Sequence, residues 1–341
     1  MVQIFTTDNP LHPGESHLSD LATRARTFES SKAVDSVLVG YSSTWPHNQV
    51  TAPFVFAATQ RLSLIVAHRP GVMAPTAAAR YFSTLNALSG GRLAVNVVVG
   101  GADKDLRREG DGLPKAARYE RAIEYLDVMK RAWSEQDSFD HHGTYFDAER
   151  VRHDLRPESG HIPVFMGGDS DDAVQFGATH ADRYMLWGEP LAGTRERVER
   201  VTRAATAHGR KPSFSLSLRL FVADTDEEAW RQARAAEQAV KDATGSRQII
   251  RSASTDTSTG RERQLAYTGT DVHDDCFWTG LVSLLGGFAN SAALVGTPDR
   301  VLRALAAYRD LGIDAFLLTG GVYGIWEPAL ENFAARVKRE L

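Results

Sequence analysis

Short apolar runs rich in β-branched residues alternate along the chain with longer stretches of amphipathic, helical spacing. Continuous apolar runs of this length are typical of parallel strands that helices cover on the outside. Eight of these runs predict strands, at residues 2–6, 35–40, 62–67, 93–99, 162–166, 183–187, 214–222 and 314–318. The alternation of strand and helix therefore predicts an α/β fold built on a parallel sheet.

The predicted helices begin and end at residues that suit those positions. Pro75 opens one helix and Gly90 closes it, while Thr297 caps another helix that Gly312 ends. Eight strands, each followed by a helix, predict a closed (β/α)8 barrel, that is, a TIM barrel. An open, doubly wound sheet is the competing α/β arrangement.

One polar segment interrupts this pattern. Residues 244–275 are rich in Ser, Thr, Gly and Asp. Segments of this length inside a compact domain are usually functional lids or disordered surface insertions, and the composition leaves both alternatives open. We expect a single domain over residues 1–341 that carries this segment as an insertion.

The composition is that of a globular protein which acts on a small molecule. The chain has 341 residues, 43% of them hydrophobic, and its net charge of −4 argues against a nucleic-acid binder. Its apolar runs are far shorter than the ~20 residues that a membrane span needs. Because the N-terminal residues also lack the charged segment of a signal peptide, we expect a cytoplasmic location.

The predicted seventh strand carries the clearest chemical signal. Its apolar residues alternate with serines and with Arg219, so Arg219 lies on the face opposite the leucines. In a barrel the leucines face the helices and Arg219 faces the interior, near the strand end where active sites lie. A buried arginine needs a carboxylate or another anion nearby. It therefore indicates either a structural ion pair or a site for an anionic substrate.

A glycine-rich turn follows the predicted fifth strand. Gly167 and Gly168 allow a ligand to approach the backbone closely, and the following helix presents free N–H groups. This arrangement suits a phosphate. Asp169, however, is equally suited to cap the helix, and its charge would repel a phosphate.

Other charged or reactive groups favour structural roles. The adjacent His141 and His142, and His273 before two aspartates, have no further spaced ligand, so we expect no metal site. Cys276 lies beside aromatic residues and is interpreted as packing. The alternating acids and bases at 195–203 predict a solvated helix face.

Several sequence blocks, taken together and in order, resemble the bacterial luciferase-like, flavin-dependent monooxygenases, and within them the alkanesulfonate monooxygenase branch. The resemblance extends over nearly the whole chain. Its blocks are Thr59 to Leu62, Ala67 to Gly71, Pro75 to Arg80, Leu88 to Arg92, Val99 to Gly101, Gly110 to Gly112, Arg118 to Glu120, Gly167-Gly168 and Leu186 to Pro190.

The resemblance implies a (β/α)8 barrel with an insertion near the last strands. It also implies that FMN, reduced by a separate NAD(P)H:flavin reductase, binds at the strand ends and reacts with O2. A flavin C4a-peroxide would then oxygenate a small organic substrate, for instance by oxidative C–S cleavage of a sulfonate. Such an intermediate survives only where water is excluded, which favours a lid role for residues 244–275. Members of the family tend to form homodimers or homotetramers.

Residue by residue, the resemblance assigns two groups of contacts. The positions that match the family's cofactor contacts are Val99, Lys115, Tyr119, Gly168, Asp169 and Ser170. Trp187 and Arg219 match catalytic positions of the alkanesulfonate branch, where Arg219 would bind an anion or stabilise developing negative charge. The implied substrate contacts are Trp45, His68 and Phe221.

Several of these positions depart from the family pattern. Lys115 replaces a histidine, Val99 replaces a hydroxyl residue and Asp169 replaces a serine of the phosphate loop. Phe221 and Trp45 stand where the alkanesulfonate enzymes have a histidine and a cysteine. Together with Phe288 and Trp326, these two aromatic residues imply a more aromatic and less anionic pocket.

The departures leave two alternatives open. Related barrels use the deazaflavin F420 for hydride transfer without oxygen, and Lys115 and Asp169 leave room for that cofactor. The superfamily also includes non-catalytic chains that pair with a catalytic partner. The presence of Tyr119, Trp187 and Arg219 favours an active enzyme over that second alternative.

Overall fold

The computed structural model describes residues 1–8, 17–100, 103–244, 258–287, 291–321, 326 and 328–341. Eight parallel strands form a closed barrel: β1 (Gln3–Asp8), β2 (Ser36–Val39), β3 (Ser63–His68), β4 (Leu93–Val97), β7 (Val164–Met166), β8 (Arg183–Trp187), β9 (Ser213–Val222) and β13 (Ile313–Gly320). Each strand pairs with the next in this order, and β13 pairs with both β9 and β1. The predicted TIM barrel is therefore confirmed, with all eight strands at their predicted places.

Among the described residues, five further strands lie outside the barrel. A separate hairpin consists of β5 (Phe139–His142) and β6 (Asp147–Val151). Near the end of the chain, β10 (Val272–His273), β11 (Phe277–Trp278) and β12 (Ala293–Gly296) extend the sheet. β12 runs parallel to the last residues of β9, beyond Ser217, where the pairing of β9 with β8 ends.

The helices surround the barrel. They are α1 (Leu18–Ser30), α2 (Asn48–Ala58), α3 (Pro75–Leu88), α4 (Asp103–Arg108), α5 (Lys115–Ser134), α6 (Asp171–His180), α7 (Leu191–Ala207), α8 (Asp226–Thr244), α9 (Thr259–Ala266), α10 (Gly280–Leu284), α11 (Pro298–Asp310) and α12 (Pro328–Glu340). Pro75 is the first residue of α3, and the Thr297 side chain caps α11 by accepting from the Arg300 N–H. The predicted boundaries of these two helices are confirmed.

The core has two layers because each barrel strand is buried on both faces. The leucines of β9 lie in the large outer layer, between strands and helices. A separate inner cluster contains Phe5, Ile65 and Leu317 from three different strands. Ser215 of β9 lies opposite Ala315 of this inner cluster, so the predicted alternation along β9 is confirmed.

Arg183 closes the amino-terminal end of the barrel. Its guanidinium forms an ion pair with Asp314, donates to the Phe214 carbonyl at 3.1 Å and donates to Gln3 Oε1 at 2.8 Å. It also lies over the Phe5 ring, at 5.4 Å from the centroid. One side chain of β8 thus joins β1, β9 and β13 at the barrel floor and leaves the opposite end for a ligand.

The predicted insertion, 244–275, is described at its first residue and from residue 258 onward; residues 245–257 lie outside the described residues. The described part is not a structureless loop, since it contains α9 and β10. Gly260, Arg261 and Gln264 of α9 are buried. This part of the insertion therefore packs on the barrel. Within the described part of the chain, no helix is long and apolar enough to span a membrane.

Candidate active site at the carboxyl end of the barrel

Trp187 and Arg219 face the same barrel interior from neighbouring strands. Trp187 lies opposite Ser217 in the pairing of β8 with β9, and Arg219 is two residues further along the same face of β9. Arg219 in turn lies opposite Thr319 of β13. The interior at this end is therefore lined by an indole, two hydroxyl residues and a guanidinium, in contrast to the apolar cluster beneath it.

Arg219 is held rigidly at this end. Only 5% of the residue is exposed, and its guanidinium donates to the Gly321 carbonyl. The Arg219 backbone N–H donates to the Ala292 carbonyl at 3.1 Å, which anchors β9 to the segment before β12. Burial lowers the pKa of Arg219 to about 10, which still leaves the group protonated at neutral pH. The barrel mouth thus contains a positioned, largely desolvated cation.

Asn96 is a polar residue of this interior that the sequence reasoning missed. It lies on β4 opposite Phe165 of β7, on the inward face, and is half-buried. Within the described part of the chain its amide has no hydrogen-bond partner. An amide in the middle of an otherwise apolar strand was the available signal, because asparagine is unfavourable in strands.

A second cluster lies where β7 meets α6. Ser170 caps α6 by accepting from the Ala173 N–H at 3.3 Å. Burial raises the pKa of the neighbouring Tyr119, and the Ser170 hydroxyl opposes that shift. At Gly168 an added Cβ would lie 2.6 Å from the Cβ of Ala173, so the close strand-to-helix packing requires glycine. Three of the predicted cofactor contacts, Tyr119, Gly168 and Ser170, are therefore brought together.

Helix α9 connects this second cluster to the barrel interior. The Lys115 ammonium lies 3.4 Å from the Thr259 hydroxyl oxygen. An added Cβ at Gly260 would lie 2.6 Å from an Asp169 carboxylate oxygen and 3.0 Å from the Trp187 ring. One turn of α9 therefore touches Lys115, Asp169 and Trp187. The two clusters therefore adjoin each other beneath α9.

Asp169 belongs to a buried network of charges. Its carboxylate forms an ion pair with Arg197 of α7, and burial raises the pKa of Asp169 while Arg197 opposes that shift. Arg197 also contacts Glu189 at 3.4 Å. The predicted solvated face at 195–203 is wrong at Arg197, because this side chain turns back toward the barrel and is buried.

Glu189 is the centre of this network and was also missed by the sequence reasoning. It accepts from Arg263 of α9 at 3.0 and 2.8 Å and from the Tyr267 hydroxyl at 3.3 Å. The bonds that Arg263 donates, first to Glu189 and then to Glu196, raise the pKa of Arg263. A glutamate between the end of β8 and a proline gave no periodic signal. Only its partners, distant in sequence, reveal its role as the anchor of α9.

Four residues predicted as cofactor or substrate contacts have surroundings different from those of the two clusters above. Val99 belongs to the outer, helix-facing core, like Val95 and Val97. His68 is fully buried between Gln49 Nε2 at 2.8 Å and the Tyr125 hydroxyl at 2.7 Å, and burial lowers its pKa to about 3.

The other two are aromatic. Phe221 is buried edge-on against Trp278, with ring centroids 5.9 Å apart. Trp45 is partly exposed and covers Gly40. Phe288 lies outside the described residues, and the Trp326 indole donates to Glu331 at 3.2 Å.

The sequence matches the family model described as luciferase-like monooxygenase over residues 1–315. The chain belongs to this family. The predicted resemblance is thereby confirmed at the level of the family.

Solved structures with the same fold include several luciferase-like proteins. An EDTA monooxygenase from a Chelativorans species superposes with a TM-score of 0.74 and 18% identity, over 98% of this chain and 92% of that one. The oxygenating constituent of a Pseudomonas putida 3,6-diketocamphane monooxygenase, solved with FMN, gives 0.73 and 18%, over 100% and 99%. An F420-dependent secondary alcohol dehydrogenase, solved with an F420–acetone adduct, gives 0.68 and 15%, over 99% and 97%. At these identities the likeness establishes the fold.

The donor set of this luciferase-like site fits a flavin mononucleotide. Trp187 and the half-buried Asn96 offer an aromatic face and an amide to a flat heterocycle at the barrel mouth. At the other end, the ammonium of Lys115 and the hydroxyls of Ser170 and Thr259 are suitable donors for phosphate oxygens. The buried Asp169 carboxylate, which can only accept hydrogen bonds, lies beside these donors.

Proposed function

We propose that the chain is an FMNH2-dependent monooxygenase that uses O2 to oxygenate a small organic substrate. The observation that supports this most is the continuity of the site. Gly260 of α9 lies against both Trp187 and Asp169, so this helix covers both the barrel mouth and the groups that would donate to a phosphate. A cofactor with a flat ring at one end and a phosphate at the other matches that arrangement.

The reduced flavin, when bound, would supply the electrons that activate oxygen. The chain's own residues would bind and orient. Lys115, Tyr119 and Ser170 would hold the phosphate end, and Trp187 would pack on the ring. The apolar inner cluster beneath, with Phe5 and Leu317, would exclude water from the reacting centre.

Arg219 would bind the anionic part of the substrate or stabilise negative charge that develops on it. Because its pKa of about 10 lies well above neutrality, it remains a cation in that role. An anionic sulfonate fits this guanidinium, so we propose oxidative C–S cleavage of a sulfonate or a related compound. Val99 and His68 have no part in this proposal, since their side chains face the helices.

The proposal includes partners. A separate NAD(P)H:flavin reductase would supply the reduced flavin in the cytoplasm, and the chain would form a homodimer or homotetramer. The proposal of self-association rests on two exposed apolar side chains of α2, Val50, which is 60% exposed, and Phe54, which is 44% exposed. One helical turn separates them, so they form one outward face, and we propose a second copy of this chain as its occupant.

The test is an anaerobic titration with reduced FMN and, in parallel, with reduced F420, followed by mixing with O2 and a panel of alkanesulfonates. We expect saturable FMN binding and sulfite release that requires both O2 and substrate. Tight F420 binding without FMN binding would instead favour the alternative of an F420-dependent oxidoreductase. If neither cofactor binds and the chain co-purifies with a homologue, it is a non-catalytic partner subunit.

A further inference from the structure

The network around Asp169 carries more negative than positive charge. It contains three carboxylates, of Asp169, Glu189 and Glu196, and two guanidiniums, of Arg197 and Arg263. Arg197 is shared between Asp169 and Glu189, and Arg263 between Glu189 and Glu196. Two cations among three anions leave one negative charge in excess.

Arg200 does not remove this excess. Its guanidinium donates to the Asp169 carbonyl at 3.0 Å and forms its ion pair with Asp171, a separate carboxylate on the surface. Arg200 and Asp171 thus compensate each other. The excess negative charge therefore belongs to Glu196, whose side chain is 54% exposed, while Arg197 and Arg263 balance the buried Asp169 and Glu189.

The Asp169 carboxylate lies next to the donors that would hold a phosphate. It directly precedes Ser170, and it lies against Gly260, the residue after the Thr259 that contacts Lys115. Its side chain is only 5% exposed, so solvent screens it weakly. A phosphate at Ser170 and Lys115 would therefore experience this carboxylate at short range.

We propose that Asp169 is a specificity residue that weakens binding of the flavin's phosphate. Wild-type protein then distinguishes FMN only slightly from riboflavin, which has the same ring and no phosphate. This inference rests on the proposed function, because it assumes a flavin in this site. It also suits a flavin that is a cosubstrate from a reductase, since such a flavin must leave after each turnover.

The experiment measures the dissociation constants of oxidised FMN and riboflavin by quenching of flavin fluorescence. For the wild type we expect constants within about threefold of each other. In Asp169→Asn we expect FMN to bind about tenfold more tightly, which corresponds to about 1.4 kcal/mol, with riboflavin unchanged within twofold. Asp169→Ser, a smaller uncharged replacement, is expected to act in the same direction.

The matched control is Asp171→Asn. Asp171 lies two residues further along and its side chain is 96% exposed, so its charge is screened by water. We expect its FMN-to-riboflavin ratio to equal that of the wild type. Thermal melting shows whether each variant is folded.

Several outcomes would overturn the inference. If the wild type binds FMN more than a hundredfold more tightly than riboflavin, that result alone overturns the inference. Folded Asp169→Asn with an unchanged ratio, or with both flavins affected equally, shows a structural role only. If neither flavin binds, in the reduced form as well as the oxidised form, the proposed function is removed and this inference with it.

Discussion

Arg219 is buried, is anchored by a backbone carbonyl and stays charged at neutral pH, as a residue that acts on an anion must. We expect Arg219→Ala to lower kcat/KM at least a hundredfold, with the FMN dissociation constant changed less than threefold. The reason is that its guanidinium would act on the substrate or on developing charge and not on the cofactor. Steady-state turnover and flavin titration measure the two effects.

The control for this prediction is Arg303→Ala on α11, an exposed arginine far along the chain from the barrel mouth. Its turnover is expected to equal that of the wild type. Wild-type turnover in Arg219→Ala would remove Arg219 from the mechanism.

His68 gives a prediction about pH and stability. Its pKa falls from 6.5 to about 3 on folding because burial disfavours the charged ring. Protons therefore bind the unfolded chain preferentially, and the contribution of His68 to stability, complete above pH 6.5, is lost as the pH falls toward 3. The expected slope is up to about 1.4 kcal/mol per pH unit.

Urea unfolding at several pH values tests this contribution. In His68→Gln we expect a lower stability at neutral pH and a flatter dependence between pH 6.5 and 4.5. His142→Gln, at an exposed histidine of β5, is the control and is expected to keep the wild-type slope. Equal slopes in His68→Gln and the wild type would contradict the contribution of His68 to the pH dependence of stability.

At the scale of single elements, the position of α9 depends on glycine where the helix meets the barrel. At Gly260 a methyl group would collide with both Asp169 and Trp187. We expect Gly260→Ala to displace α9, to speed amide hydrogen exchange across Thr259–Ala266 and to weaken FMN binding about tenfold. Overpacking of this kind typically costs about 1–3 kcal/mol.

Gly269→Ala is a matched control in the same insertion, because a methyl group there meets no other atom within 4 Å. It is expected to leave exchange in α9 and FMN affinity unchanged. Identical exchange in Gly260→Ala and the wild type would show that the contact with Trp187 and Asp169 does not hold α9.

For the whole molecule, the outward face of α2 leads to a prediction about assembly. The chain has a mass of 37.4 kDa, and we expect light scattering to give twice or four times that value. A charge at Phe54, introduced as Phe54→Glu, should dissociate the assembly because an unpaired carboxylate would be buried in it. Leu155→Glu, at an apolar side chain with nearly the same exposure as Phe54, is the control. A monomeric wild type would contradict the predicted self-association.

Some of the site could be predicted from the sequence. The strict alternation of serines and leucines in β9 determines that Arg219 faces the barrel interior, because alternate residues of a strand point to opposite faces. The stretches next to these two positions, Val97 to Val99 and Leu64 to Ala67, are apolar at every position, so they do not themselves indicate which residues face inward. Since a shift of one residue exchanges the two faces, these two assignments needed the structure.

The sequence by itself determined the family, the eight strands, the helix caps and the inward face of Arg219. All of these follow from local periodicity, short-range capping or linear blocks of residues. Only the tertiary structure decided that Glu189 and Arg197 are buried, that Arg263 anchors α9, and that Asp169 lies between the barrel mouth and the phosphate donors. Their partners are distant along the chain, and a charged residue is stable in the interior only where folding brings an opposite charge to it.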